Sequence, residues 1–162
     1  MATETKKFIG TTGNGFDVYM CESTYSHMLA HPDVQMDDIK EAISKIDYKA
    51  PFQMAQVDLG RICGKDACIE IPAGMNPEMR TRKGRQGKTP VFLSGVEAAD
   101  TSILTVGICK DDDGKDTLFT AFYGQLAPKE PWDTRLSDSE RSEAESFWAS
   151  HALVVTADQL ED

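Results

Sequence analysis

An α+β fold, with a central antiparallel sheet, two N-terminal helices packed on it and a C-terminal helix, is what this sequence predicts. Three observations carry that expectation. Helical three- and four-residue periodicity is confined to the stretch before Pro51 and to the residues after Ser137. Between them lie short runs of β-branched and aromatic residues, separated by Gly, Pro, Asn and Asp turn signals. At 162 residues the chain is long enough for one conventional core that buries roughly two thirds of its unfolded surface. Residues 1–135 are expected to form the main body, with 136–162 adding a helix, a short strand and an acidic tail to the same domain.

The elements follow in order. Phe8-Ile9-Gly10 and Phe16 to Cys21 read as strands around Thr11-Thr-Gly-Asn-Gly15, where Asn-Gly favours a tight hairpin turn. Ser23 or Thr24 can cap a helix through Ala30, with Tyr25, Met28 and Leu29 on one face and Pro32 forcing its end. Ile39, Ala42, Ile43 and Ile46 give a second helix over 37–46, behind acidic first-turn residues that suit the helix dipole. Strands are expected over 55–63, 68–71, 91–93, 102–109 and 117–123, the last two joined by the hairpin signal Asp111-Asp-Asp-Gly114. The last of these strands ends abruptly at Tyr123-Gly124, in a Pro-rich exit that carries Trp132. Strand ends of this kind present polar side chains from a rigid element. Residues 74–89 show no apolar period and read as a long loop. Ser137-Asp-Ser-Glu140 has the capping-box form ahead of Ala144, Phe147 and Trp148, and His151 to Val155 reads as an edge strand before a fraying tail.

Composition limits the function. A net charge of −10 and a pI near 4.7 argue against broad, charge-driven binding to nucleic acid. Yet Arg80-Thr-Arg-Lys-Gly-Arg-Gln-Gly-Lys88 holds five of the seventeen basic residues, an island suited either to solvent or to a phosphate or acidic partner. No window approaches a membrane span, and the polar start of the chain lacks an apolar stretch, so a cytoplasmic protein is expected, with reduced thiols. The four cysteines lack the paired spacing of a zinc site. Gly10 to Gly15 is no phosphate loop, because no Gly-Lys-Ser/Thr follows. Asp111 to Gly114 lacks the spaced ligands of a calcium loop and reads as a solvated hairpin tip. Covalent catalysis has no identifiable nucleophile context.

His27 and His31 are four apart, so a continued helix would put both on one face; neither a metal nor another cofactor is expected there, for want of further ligands. Each histidine is alternatively a surface or capping residue, or a general acid or base. Metal-independent RNA cleavage needs a base for the 2′-hydroxyl proton, an acid for the leaving oxygen and cations for the phosphorane charge. His27 or His31, Thr120, Tyr123, and Arg85 or Lys88 supply those types.

The order of these segments carries a resemblance. Ser23-Thr-Tyr-Ser-His-Met-Leu-Ala-His-Pro-Asp-Val-Gln-Met-Asp-Asp-Ile-Lys-Glu-Ala-Ile43, a His-bearing helix, a His-Pro-acid turn and a second amphipathic helix, resembles the opening of the barnase/EndoU/colicin/RelE-like (BECR) nuclease superfamily. Thr120-Ala-Phe-Tyr-Gly124 is similar to its final strand, although Phe122 stands where a tyrosine is usual. The resemblance spans roughly 16–133. It implies a small toxin- or phage-associated RNase acting on tRNA without metal, with His27 or His31 as acid/base, Thr120 and Tyr123 as hydroxyl donors, Arg85 or Lys88 on phosphate, and a cognate immunity protein as partner. The alternative is a non-catalytic inhibitor or binding protein of a phage or mobile element, whose acidic surface meets a basic partner.

Overall fold

The computed structural model describes residues 5–30 and 34–161, with the backbone alone at 27–30. The fold is α+β, built as two compact units, Met1–Gly64 with Asp100–Leu126 and Lys65–Ala99 with Ala127–Asp162. The chain leaves the first unit at β4 (Gly64–Asp66) and returns at β8 (Ala99–Thr101), which pair as a short ribbon. It passes finally into the second unit between Leu126 and Ala127, inside the Pro-rich exit.

The first unit holds β1 (Lys6–Thr11), β2 (Asp17–Cys21), α1 (Glu22–Ala30), α2 (Met36–Lys45), β3 (Phe52–Asp58), β9 (Ile103–Lys110) and β10 (Asp116–Tyr123). Its five-stranded sheet runs β1-β2-β10-β9-β3 and is antiparallel except where β2 meets β10. That parallel pair is possible because the chain between the two strands makes the long excursion a crossover requires. The apolar face of α2 (Ile39, Ala42, Ile43) packs on β1, β3 and β9 over Val18, Met20, Leu104, Val106 and Ile108, all essentially inaccessible; α1 packs on β1 and β2.

Two polar anchors fix this unit. The predicted turn at 11–15 docks on the segment after α2: Asn14 Nδ2 donates to the Tyr48 carbonyl at 2.9 Å, and the Tyr48 N–H donates to Asn14 Oδ1 at 2.9 Å. Asp111 is not a solvated tip residue. It accepts from Lys6 Nζ at 2.5 Å, from Thr117 Oγ1 at 3.1 Å and from the backbone N–H groups of Asp113 and Lys115.

The second unit holds β5 (Cys68–Glu70), β6 (Glu78–Thr81), β7 (Lys88–Phe92), α3 (Asp138–Trp148) and β11 (His151–Val154), in a four-stranded sheet ordered β5-β11-β7-β6. The capping box at Ser137 and Glu140 starts α3, as its sequence predicts. Three expectations need correcting. Residues 74–89 are not a structureless loop, because Glu78 to Thr81 pairs with Lys88 to Val91 and makes the basic island a β-hairpin. β11 is not an edge strand, since it lies between β5 and β7. The tail does not fray through Leu160. A 3-10 turn (Ala157–Gln159) buries Leu160 beside Val91 and Val155, and its backbone bonds Lys83 and Thr81. Leu160→Ala should therefore destabilise the second unit by about 2–5 kcal/mol, read as a lowered urea midpoint.

Candidate functional site

At the end of β10 the Tyr123 ring lies against Gly64. A Cβ there would sit 2.4 Å from the ring's Cγ, so only glycine permits the contact. This directs the Tyr123 hydroxyl to Asp38, in the first turn of α2: it donates to Asp38 Oδ2 at 2.6 Å and accepts from the Gln35 N–H at 3.1 Å. Arg61 Nη2 donates to the other Asp38 oxygen at 2.6 Å and to Glu41 Oε1 at 3.0 Å.

Burial pushes the Asp38 carboxyl up, but hydrogen bonds from Tyr123 and Arg61 outweigh it and leave the group below its ordinary value. Burial first, and then the hydrogen bond to Asp38, push the Tyr123 phenol up to about 12. Tyr123 is thus a neutral hydroxyl with its proton and a lone pair already engaged. Thr120 lies on the same strand, just past a bulge between Leu118 and Thr120, and is half-buried.

The candidate residues are not gathered in one unit. Thr120 and Tyr123 belong to the first, and Arg85 and Lys88 to the second. His27 lies on α1 with its side chain outside the described residues, and His31 lies outside them altogether. His151 stacks on Phe147 at 3.8 Å between centroids and bonds the Phe147 carbonyl through Nδ1 at 2.9 Å, which is a structural role. Among the described residues no set of three His, Cys, Asp or Glu side chains could hold a metal ion.

The second unit has what the sequence shows only in part. The Pro-rich segment after Ala127 is tied to α3 and to β6–β7. Trp148 Nε1 donates to the Pro128 carbonyl at 3.1 Å, Arg141 donates to the Pro131 and Asp133 carbonyls, and Arg82 pairs with Glu130. Trp132 lies on Gly87 so closely that a Cβ would meet its Cγ at 2.3 Å.

Two cavities share the Trp132 ring as a wall. One, of about 370 Å³, is lined by Arg85, Lys129, Arg135, Glu130 and Asp133. The other, of about 380 Å³, is mostly apolar and lined by Met79, Pro90, Trp148 and the stem of Lys88.

Arg135 is engaged by Asp133 through Nε at 3.0 Å and Nη2 at 2.7 Å, and this pair holds the Asp133 carboxyl well below its ordinary range. Among the described residues Arg85 and Lys129 form no ion pair, although Lys129 lies near enough to Asp133 and Glu140 to help lower both carboxyls. Three buried polar side-chain atoms have no hydrogen-bond partner among the described residues, Trp132 Nε1, Arg82 Nε and Thr89 Oγ1, and all belong to segments of this unit. Sequence reasoning singled out Arg85, Lys88 and Trp132 but missed Lys129 and Trp148, because cavity walls drawn from separate segments leave no periodic signal.

No protein-family model matches the chain, and no curated protein matches it. Its fold is similar to that of a crystal structure of a conserved hypothetical protein from Toxoplasma gondii ME49, with a TM-score of 0.53 over 78% of this chain and 87% of that one. At 9% identity the likeness is one of fold alone.

Tyr123→Phe should cost about 1–3 kcal/mol by leaving an Asp38 oxygen unpaired. It should also change the pH profile of stability. Asp38, lowered in the fold, stabilises above the unfolded carboxyl value of about 3.9, and that contribution is lost as pH falls through the folded value. Tyr123, raised in the fold, stabilises below about 10, and its contribution is lost as pH rises toward about 12. Urea midpoints across pH should show a shallower alkaline limb in the variant, the remainder carried by groups such as Tyr48 and Cys68 that are also raised, and a flatter acid limb.

Proposed function

We propose that the protein contacts RNA through its second unit and is a metal-independent RNA endonuclease of toxin type, directed at tRNA and working by attack of the ribose 2′-hydroxyl. One observation carries the RNA contact: Arg85 and Lys129, neither within ion-pair distance of a carboxylate among the described residues, stand beside the half-buried ring of Trp132, on a chain of net charge −10. Cations beside an aromatic face are the combination that holds single-stranded nucleic acid, the cations on phosphate and the ring on a base. Lys88, on the other side of the same tryptophan, extends the cationic track.

The cleavage half rests on the BECR resemblance and puts proton transfer on His27 or His31, with Thr120 near the end of the last sheet strand as a hydroxyl donor. Tyr123 then acts by positioning α2 against β10 through Asp38, because its own hydroxyl is engaged. An acidic immunity protein is the partner expected to cover Arg85, Lys88 and Lys129.

The same Tyr123 geometry favours a second reading, a non-catalytic RNA- or partner-binding protein of a phage or mobile element that keeps the fold without the chemistry. Incubation with total tRNA in EDTA separates the two. The nuclease reading predicts discrete cuts that His27→Ala or His31→Ala abolishes without loss of fold. Bound but intact tRNA would remove the nuclease and leave the binding protein. Removing Arg85 and Lys129 together should weaken RNA binding about tenfold or more and lower the slope of log affinity against log salt by about 1.4. An unchanged slope would place the RNA elsewhere on the chain.

A further inference from the structure

We infer that the apolar chamber between Trp132 and Trp148 is a nucleobase pocket, and that it takes one base of an RNA strand whose adjoining phosphate lies on Arg85 and Lys129. The inference rests on the RNA reading for its phosphate half and deepens it by assigning a place to the base.

Trp132 and Glu130 line both the chamber and the cationic cavity, so the two adjoin, and a ligand that fills both carries a planar apolar group joined to an anion. A nucleotide has that form. The chamber is lined by the two tryptophans, Met79, Pro90 and Ala149, and its volume of about 380 Å³ is ample for a purine or pyrimidine with its ribose. Met79 is 53% exposed although it lies on a strand of a packed sheet. Its thioether and the tryptophan faces offer the polarisable contacts on which aromatic rings stack.

Gly87 is what makes the chamber possible. Any larger residue would drive its Cβ into the Trp132 ring and displace the shared wall. The wall is also braced from behind, because Arg82 pairs with Glu130 while Arg141 holds the Pro131 and Asp133 carbonyls. The pocket therefore exists before a ligand arrives. Arg135 is neutralised by Asp133 and sits as rim, leaving Arg85 and Lys129 to meet the phosphate.

Lys88, Glu130 and Glu145 border the apolar chamber and can meet the polar edge of a base, the lysine as donor to a ring nitrogen or carbonyl and a glutamate as acceptor from an exocyclic amine. Glu130 is already engaged by Arg82, so Lys88 is the freer group for reading the base. That choice favours guanine, whose N7 and O6 are adjacent acceptors, over adenine, whose N7 lies beside a donor amine.

The chain contains two tryptophans, and both line this chamber. Intrinsic fluorescence therefore reports on the pocket directly. Titration in EDTA with GMP, AMP, guanosine and inorganic phosphate should give saturable quenching by GMP, weaker quenching by AMP and guanosine, and none by phosphate. Trp132→Phe keeps a stacking face and should bind within a few-fold of wild type. Met79→Glu, at an exposed position that does not threaten the fold, should weaken GMP about tenfold or more. Gly87→Ala should do the same by moving the ring.

The outcome for the chamber is separable from that for RNA and its cleavage. A fluorescein-labelled oligonucleotide that binds by anisotropy while GMP leaves both tryptophans unquenched would overturn the base pocket and keep the RNA contact. Saturable GMP quenching lost in Met79→Glu, with tRNA left intact, would uphold the pocket and remove the nuclease. Equal quenching by GMP in wild type and Met79→Glu would overturn the pocket as well.

Discussion

The indole of Trp132 rests on Gly87 with no room for a side chain between them, and the placing of the two cavities of the second unit depends on that approach. It brings the turn of the β6–β7 hairpin against the Pro-rich segment, two pieces of chain more than forty residues apart in sequence. The tryptophan then lines both a cationic cavity and an apolar one. A glycine at this place is a packing requirement rather than a turn requirement. The indole N–H is buried there without a partner, a cost of about 1–3 kcal/mol that the surrounding contacts must offset.

The first unit shows the same economy with a different residue pair. Gly64 admits the Tyr123 ring, and the ring delivers its hydroxyl to Asp38. Arg61 completes the set by bridging Asp38 and Glu41, so a buried carboxylate at the start of α2 is held by a phenol and a guanidinium. A carboxylate so satisfied stabilises the fold instead of acting as a base. On the proposed nuclease reading, Tyr123 is then a positioning residue rather than a group that takes part in the chemistry.

Much of the fold was legible because its signals are local. The turn at 11–15, the apolar stripe of Ile39, Ala42 and Ile43, the capping box at Ser137 and the hairpin after Lys110 each follow from residues within one turn or one hairpin of each other. The failures came where pairing partners are distant. Residues 78–81 form a strand by pairing with 88–91, but the exposure of Met79 and the burial of Thr89 and Pro90 hide the alternation that would have marked it. β11 is interior because β5 and β7 reach it from earlier in the chain, and no property of His151 to Val154 announces that. Of the site, the basic island and Trp132 were visible by composition. Their convergence was not, because it is set by Gly87, Arg82 and Arg141 acting across separate segments.

The central claim is that RNA meets the second unit at the face of Trp132. An ¹H–¹⁵N spectrum of the two indole N–H groups, assigned with Trp132→Phe and followed while a short single-stranded RNA is added in EDTA, tests it most directly. Trp148 Nε1 donates to the Pro128 carbonyl and reports on the opposite wall of the chamber, whereas Trp132 Nε1 has no partner among the described residues. The account predicts a saturable shift of the Trp132 signal that disappears when Arg85 and Lys129 are replaced. A Trp132 signal that stays still at RNA concentrations where the RNA is bound would contradict it.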